Sequence, residues 1–458
     1  MKAQKTKTRV DDSRQLRIEE GRKHREAGSR QAQAELRPKE RTFDPIAVFL
    51  KSNAQRMRRL LPVKYARMKV SPFAFFRGSV AIMAADLARL PNSGIHAQLC
   101  GDAHVQNMGS FAAPDGKLVF DLNDFDETIR GPWEWDVKRM AASIVLAGRE
   151  CDHDAEGCHS AATVFVESYC AAIRAFSELP ILQAARPQVH REERSAPIHA
   201  ALLQSQRASP LDLVKKFTEP DHRGAPRFRS ERPLYWRVSG SEARGVLKSL
   251  PEYRETLGSE RQHFFDQFRP IDVGFKVVGT GSVGLRDYVV LFEGNGPKDP
   301  VFLQIKQEAP SAYAHYVADA ALEVERHQGR RAVEGQRAIQ PLSDPLLGWT
   351  TIGPYHYLVR QLNDHKGSIE LEKLRGAGLT RLALVAGELV ARGHARSGDA
   401  CQIRGYCGSG EKMAKSLAAF AVAYADQTDA DYKVFLDAIK RGKLKVAEAA
   451  VKVKGAGA

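Results

Sequence analysis

No apolar run in this 458-residue chain approaches the roughly 18 residues that a membrane-spanning helix needs, so no membrane partner is expected. The opening Met1-Lys2-Ala3-Gln4-Lys5 leads into charged sequence without an apolar h-region, and no secretory leader is expected either. Cysteine is scarce, with six residues at 100, 151, 158, 170, 401 and 407, and none forms a C-x-x-C pair. The Cys151–Cys158 and Cys401–Cys407 spacings suit zinc poorly, so reduced thiols in a cytoplasmic protein are expected. Aromatics make up only 8% of the chain and do not interleave with the basic runs. That argues against a stacking surface for nucleic acid.

What is present is a globular composition, 43% hydrophobic, in a chain longer than one typical domain. Two lobes are expected. The net charge of +14 is uneven: residues 1–42 hold 13 Lys/Arg against 7 Asp/Glu. This polar head is expected to be disordered and dispensable, the first apolar helix starting at Phe43. Residues 443–458, rich in Ala, Lys and Gly, read as a flexible tail. The remaining excess of positive charge suits an anionic substrate such as a nucleotide.

The densest chemistry lies between Cys100 and Asp126, C-G-D-A-H-V-Q-N-M-G-S-F-A-A-P-D-G-K-L-V-F-D-L-N-D-F-D. Asp102, His104, Asn107, Asp121, Asp124 and Asp126 fall in a polar loop, a turn at Pro114-Asp115-Gly116, a strand at 117–120 and a second acidic loop. Hard divalent cations prefer such carboxylate and amide oxygens, and one carboxylate can remain free as a base. Two chemistries fit the stretch taken alone. In phosphoryl transfer, Asp102 takes the acceptor proton while Asn107 and Asp121 hold metal. In a metal-dependent phosphoesterase, Asp102, His104, Asn107 and Asp121 cage ions that activate water. A nucleotide site elsewhere in the chain would decide between them.

Upstream, the aromatic run Ser71–Gly78 contains Arg77, which can reach a phosphate or serve a structural salt bridge; both readings stay open. Downstream, Gly131-Pro132-Trp133-Glu134-Trp135-Asp136 turns into a long helix with Asp136 in its first turn. The character changes near 271. A strand at 271–278 meets Gly279-Thr280-Gly281-Ser282-Val283-Gly284, and a second strand follows at 285–292 rather than the helix that a dinucleotide fold requires. A third strand, 301–306, ends in Lys306. Strand, glycine loop, strand and then a lysine is the arrangement that folds backbone amides over nucleotide phosphates. An unpaired ammonium on an apolar strand is costly, so Lys306 should have an anionic partner. Helices at 312–326 and 329–340, strands at 346–352 and 355–362, and helices from 380 onward complete the pattern.

With both halves in view, the chain resembles the protein-kinase-like superfamily, and its catalytic loop resembles that of aminoglycoside and choline kinases. Gly101-Asp102-Ala103-His104-Val105-Gln106-Asn107 is similar to their H-G-D-x-H-x-x-N loop. Val119-Phe120-Asp121-Leu122 is similar to their metal motif, and Trp135-Asp136-Val137 to a D-[IL]-A helix start. The runs F-F-R-G, G-D-A-H-V-Q-N-M-G, F-D-L-N-D-F-D-E-T, G-P-W-E-W-D-V-K-R and G-H-A-R-S-G-D more closely resemble an uncharacterised bacterial family, over most of residues 40–440. Two departures stand out. Cys100 occupies the position of the usual His, and the motif order is permuted, with the catalytic loop ahead of the glycine loop. Reading from 271 to the C-terminus and resuming near 95 restores the kinase order, with the helix ending at His394 leading into the loop at Asp102.

The resemblance implies a two-lobed α+β, protein-kinase-like, circularly permuted fold. Its parts would be a helical lobe at 43–265, a β-rich nucleotide lobe at 266–365, and helices at 366–442 returning to the first lobe. It implies an ATP- and Mg²⁺-dependent phosphotransferase. Asp102 would be the base; Asn107 and Asp121, with Asp124 second in rank, would hold Mg²⁺. Gly279, Gly281, Ser282 and Gly284 would cover the phosphates, and Lys306 would contact them and pair with a helix Glu, Glu334 ahead of Glu323 or Glu325. Backbone around Val359, within 357–362, would meet adenine. The acceptor is open. The alternatives are a non-catalytic ATP-binding regulator, a nucleotidyl transferase on the same fold, or the phosphoesterase.

Overall fold

Six segments rich in β-branched and aromatic residues pair into one antiparallel sheet. Its order is Gly348–Ile352, Tyr355–Gln361, Pro300–Glu308, Asp287–Glu293, Arg269–Lys276 and Tyr235–Arg237. The structure is a computed structural model that describes residues 2–113, 116–184, 196–207, 210–362 and 367–447. Side chains alternate across a strand, so Tyr288, Val290 and Phe292 join one apolar cluster while Val289 and Leu291 join another. The same alternation gives the strand Pro300–Glu308 two characters. Leu303 and Ile305 enter the sheet core, whereas Gln304, Lys306 and Glu308 line a cavity.

A second, larger core belongs to helices. Glu134–Glu150, Ala155–Glu178, Gly378–Ser397, Ala400–Cys407 and Glu411–Lys440 pack around residues such as Trp133, Tyr169, Leu389 and Phe420. Trp133 stacks on Tyr169 at 5.2 Å between ring centres. The chain thus starts in the helical lobe, builds the sheet, and returns. The fold is mixed α+β with small antiparallel sheets. No described helix is long and apolar enough to cross a membrane.

Two boundaries differ from expectation. Residues 218–265, assigned to the helical lobe from sequence, pack on the sheet. Trp236 stacks on Phe275 at 4.2 Å, and the Tyr253 hydroxyl donates to the Leu346 carbonyl at 2.7 Å. The head is not disordered either. Lys2–Ala27 is a helix packed along Ala400–Cys407, where a Cβ at Gly21 would collide with the Gln402 carbonyl oxygen. Arg25 donates to the Gly405 and Tyr406 carbonyls, and Arg30 to that of Cys407. Cations thereby satisfy the carbonyls at the end of the partner helix. A polar head can dock this way without an apolar stripe, which is why composition misjudged it. Of the proposed tail, Leu444 is buried; residues 448–458 lie outside the described residues, as do Pro114 and Asp115 of the expected turn.

Arg41, at the end of that head, bridges Asp86 and Asp431, each contact 2.6 Å at its shortest and each side chain a tenth exposed or less. Removing one member of a buried ionic group leaves uncompensated charge. Arg41→Ala should therefore cost about 3–5 kcal/mol in denaturant unfolding. A loss below about 1 kcal/mol would show that the head's docking is energetically incidental.

Asp287 sets a pH dependence. Its carboxyl is pushed up to about 7 by burial, against the opposing pull of Lys306 and a 2.8 Å hydrogen bond from Gln304. Between its ordinary 3.8 and about 7 the folded chain keeps a proton that the unfolded chain has released. Stability should then fall as pH rises through that window, by at most about 1.4 kcal/mol per pH unit, and level off above it. The stability difference between wild type and Asp287→Asn isolates this contribution. A difference flat from pH 4 to 7 would contradict it.

Candidate functional site

The loop after the strand His96–Leu99 is held by the first turn of the helix Glu134–Glu150. Asp136 accepts the backbone N–H groups of Cys100 at 2.6 Å and Gly101 at 2.9 Å. Behind it, His394 Nε2 lies 3.3 Å from Asp136 Oδ2, and the Tyr169 hydroxyl lies 2.9 Å from His394 Nδ1. Gly101 is at φ +86°, and a Cβ there would collide with the Glu127 carbonyl, so only glycine fits. These restraints present Asp102. Its Oδ1 receives the guanidinium of Arg139, a residue with no exposed side-chain surface, at 2.7 Å from Nε. Among the described residues Oδ2 has only His104 Nε2, at 3.8 Å, and burial pushes His104 down to about 3, leaving a neutral imidazole.

The strands Met108–Ala112 and Leu118–Leu122 form the expected hairpin, which ends in the acidic loop. Asn107 gives Nδ2 to the carbonyls of Asp102, at 2.9 Å, and Asp124, at 3.1 Å, so the group it has left to offer is Oδ1. Asp124 and Asp126 meet Lys306 from the sheet, with Nζ 2.6 Å from Asp126 and 3.4 Å from Asp124 Oδ1. Burial works against the charge on Lys306, but the two carboxylates outweigh it and hold its pKa above the ordinary value. Burial and Asp124 push Asp126 up, and Lys306 opposes them. Arg331, fully enclosed on the helix Gln328–Ile339, donates to the carbonyls of Asp126 (2.7 Å), Thr128 (2.5 Å) and Ala309 (2.9 Å).

The glycine loop joins the strands Arg269–Lys276 and Asp287–Glu293 and reaches the same place. Ser282 Oγ donates to Asp126 Oδ2 at 2.9 Å. Gly279, Gly281 and Ser282 line a cavity of about 490 Å³ together with Asp102, Asn107, Asp124, Asp126 and Lys306. Gly284, at φ +96°, does not line it; its carbonyl accepts the Met57 N–H at 2.7 Å and so anchors the loop.

Three expected roles are corrected. Asp121 does not line the cavity: it is buried against Arg392, with Nη2 2.5 Å from Oδ1, and also accepts the Leu122 N–H. The strand period turns it inward, and the loop beyond the strand carries the exposed acids. Glu334 is not the partner of Lys306, because its carboxylate pairs with Arg326 and Arg330 on the outer face of its helix. Val359 does not line the cavity either. It lies inside a central strand opposite Ile305 and Gly348, with its side chain in the sheet core.

Sequence reasoning missed Glu308 and Arg360. Glu308 lines the cavity with neither carboxylate oxygen hydrogen-bonded among the described residues, and its pKa is pushed well up by burial and by Asp126. The two-residue strand period from Lys306 was the signal for it. Arg360 reaches the Asn123 carbonyl at 3.2 Å and the Gln304 side chain at 2.9 Å. Among the described residues, no group of three or more His, Cys, Asp or Glu side chains could hold a metal ion.

Fold and site define a mixed α+β protein with a charged cavity where a sheet and a helical lobe meet. The chain belongs to the family described as "Uncharacterized protein conserved in bacteria (DUF2252)", whose model matches residues 56–438. No curated protein and no solved structure matches it significantly.

Lys306→Gln should leave Asp124 and Asp126 facing one another without a cation. The expected loss is about 2–3 kcal/mol near pH 7, less than for a fully enclosed pair because Asp124 is 40% exposed. One acid can take a proton instead, so the loss should shrink as pH falls toward 5. Urea unfolding of both proteins across that range measures it, and a pH-independent deficit would remove the coupling.

Proposed function

We propose that the protein is an ATP- and Mg²⁺-dependent phosphotransferase of kinase-like, circularly permuted construction, acting in the cytoplasm. One observation carries the reading: the glycine loop, Lys306, Asn107, the 124–126 acids and Asp102 come from four separate parts of the chain and meet at one cavity. A phosphoesterase has no use for the glycine loop or the lysine, and Asp121, which it would need, is committed to Arg392.

The residues fit a nucleotide-borne cation. Two carboxylates and an amide oxygen are too few to cage Mg²⁺, which commonly binds through one or two carboxylates and substrate phosphates. Asp124, Asp126 and Asn107 Oδ1 would hold it, and it would neutralise charge on the phosphates. Lys306 would then turn from the carboxylates toward a phosphate. Leu362 and Gly367, both at the cavity, would take the adenine role in place of Val359.

Asp102 is the base. With Oδ1 held by Arg139, Oδ2 accepts the proton of the acceptor hydroxyl. The acceptor oxygen bonds to the terminal phosphorus as the bond from phosphorus to the bridging oxygen breaks, and ADP departs with that electron pair.

Purified protein incubated with ATP and Mg²⁺ in the presence of cell metabolites, followed by mass spectrometry, should give ADP and a product heavier by one phosphoryl group. Asp124→Asn should lower the rate about a hundredfold or more. Asp121→Asn should instead lower the melting temperature while the folded fraction stays active. AMP or pyrophosphate release would indicate nucleotidyl transfer, and binding without transfer a regulator. Ester hydrolysis without nucleotide binding would restore the phosphoesterase.

A further inference from the structure

One wall of the cavity carries cations that the phosphotransferase chemistry leaves unexplained. Arg56, Lys64 and Arg77 line it, and Arg67 lies close by. Elsewhere in this protein three buried arginines have carboxylates, Arg41 two, Arg139 Asp102 and Arg392 Asp121, while the enclosed Arg331 gives its guanidinium to three backbone carbonyls and the Gln328 side chain. Among the described residues none of Arg56, Lys64, Arg67 and Arg77 has an ion pair. Arg56 Nη1 donates to the Val283 carbonyl at 2.7 Å, Arg67 donates to that of Gly279, and Lys64 donates to Asn53 Oδ1 at 3.1 Å. The Nε atoms of Arg56, Arg67 and Arg77 are buried with no partner. Among the described residues, the side-chain contact of Arg77 is the ring of Phe73, 5.9 Å away.

A buried cation without a counter-charge is costly, and a guanidinium with free N–H groups is built for anionic oxygens. Among the described residues the cavity's own acids do not pair with these cations. Asp124 and Asp126 are engaged by Lys306, Asp102 by Arg139 and Glu127 by the Ala312 N–H, while burial pushes the Glu308 carboxyl well up toward its neutral form. Burial lowers the pKa of both Arg56 and Arg77 despite those carboxylates, so their pull does not offset desolvation. The carbonyl contacts of Arg56 and Arg67 brace the glycine loop, but Arg77 braces nothing. It sits beneath that loop, its backbone oxygen 3.4 Å from where a Cβ on Gly281 would stand, and Asp102 is the carboxylate that acts on it most. The basic wall therefore adjoins the expected base, on the side where the acceptor must lie.

We infer that the acceptor is itself an anionic molecule, its phosphate or carboxylate group held by Arg77 and Arg56 beside Asp102, with Lys64 adding positive charge. This rests on the phosphotransferase reading for the word acceptor; the anion site stands on the unpaired cations alone. Arg77 supplies the fork, and Arg56 couples the bound group to the glycine loop through Val283.

Titration calorimetry of the full chain with inorganic phosphate, with and without a saturating non-hydrolysable ATP analogue and Mg²⁺, tests it. Phosphate should bind under both conditions with affinities within about threefold, since the two sites are separate. Arg77→Gln and Arg56→Gln should each weaken phosphate binding by about tenfold or more, the scale of a lost charged hydrogen bond, while in Arg77→Gln, which leaves the bracing of the glycine loop intact, the analogue's affinity changes less than about threefold. Thermal melting checks the fold. If Arg77→Gln melts early, Arg77→Lys, which keeps the charge without the fork, should show intermediate phosphate affinity. Phosphate displaced by the analogue would assign the basic wall to the nucleotide's own terminal phosphate and overturn the inference. So would phosphate binding that survives both variants, or analogue binding without any phosphate binding, which leaves the phosphotransferase reading intact. Arginine-dependent phosphate binding with no nucleotide binding would keep the anion site and remove that reading alone.

Discussion

The contact between Lys306 and the carboxylates of Asp124 and Asp126 is the constraint on which the site depends. It joins a strand of the sheet to a loop of the helical lobe, and Lys306 is only 3% exposed there. A buried ammonium is tolerable only with close anionic partners, and two carboxylates this near one another are tolerable only with a cation between them. Neither group suits its place without the other. Ser282 adds the glycine loop to the same knot through Asp126, so three backbone segments far apart in sequence are fixed by one small set of charges.

Charge is segregated within the cavity. On one side the acids are neutralised internally, by Lys306 and by Arg139. On the other, Arg56, Lys64 and Arg77 have no ion pair among the described residues. The formal excess of +14 is thus not spread evenly over a solvated surface. Part of it is concentrated where a bound molecule would meet it, in surroundings that screen it poorly.

Much of this was legible in the sequence because it rested on local pattern. The hairpin around Gly279–Gly284, the lysine on the next strand, and the loop from Gly101 to Asn107 all carry their signals within about ten residues. What failed required knowing which way a side chain faces across a distance. Asp121 and Asp124 are equally acidic and three residues apart, but one points to Arg392, 271 residues further along, and the other to the cavity. Glu334 satisfied helical spacing, yet Arg326 and Arg330 on its own surface claim it. Val359 fell inside a strand that is covered on one side by its hairpin partner Gly348–Ile352 and on the other by Pro300–Glu308, which is distant in sequence. The head failed for another reason: its arginines bond to backbone carbonyls, which leave no trace in composition.

Arg331 has a mechanical consequence. Its guanidinium ties the carbonyls of Asp126 and Thr128, in the acidic loop, to that of Ala309, just beyond the lysine strand. Carbonyl hydrogen bonds of this kind do not vary with the protonation of any side chain, so the junction holds whether or not Lys306 stays on its carboxylates. Any relative displacement of sheet and helices then turns about a fixed corner. The acidic loop travels with the sheet, while the opposite rim, where the glycine loop overlies the helix that bears Arg77, is joined separately by Met57, Arg56 and Arg67.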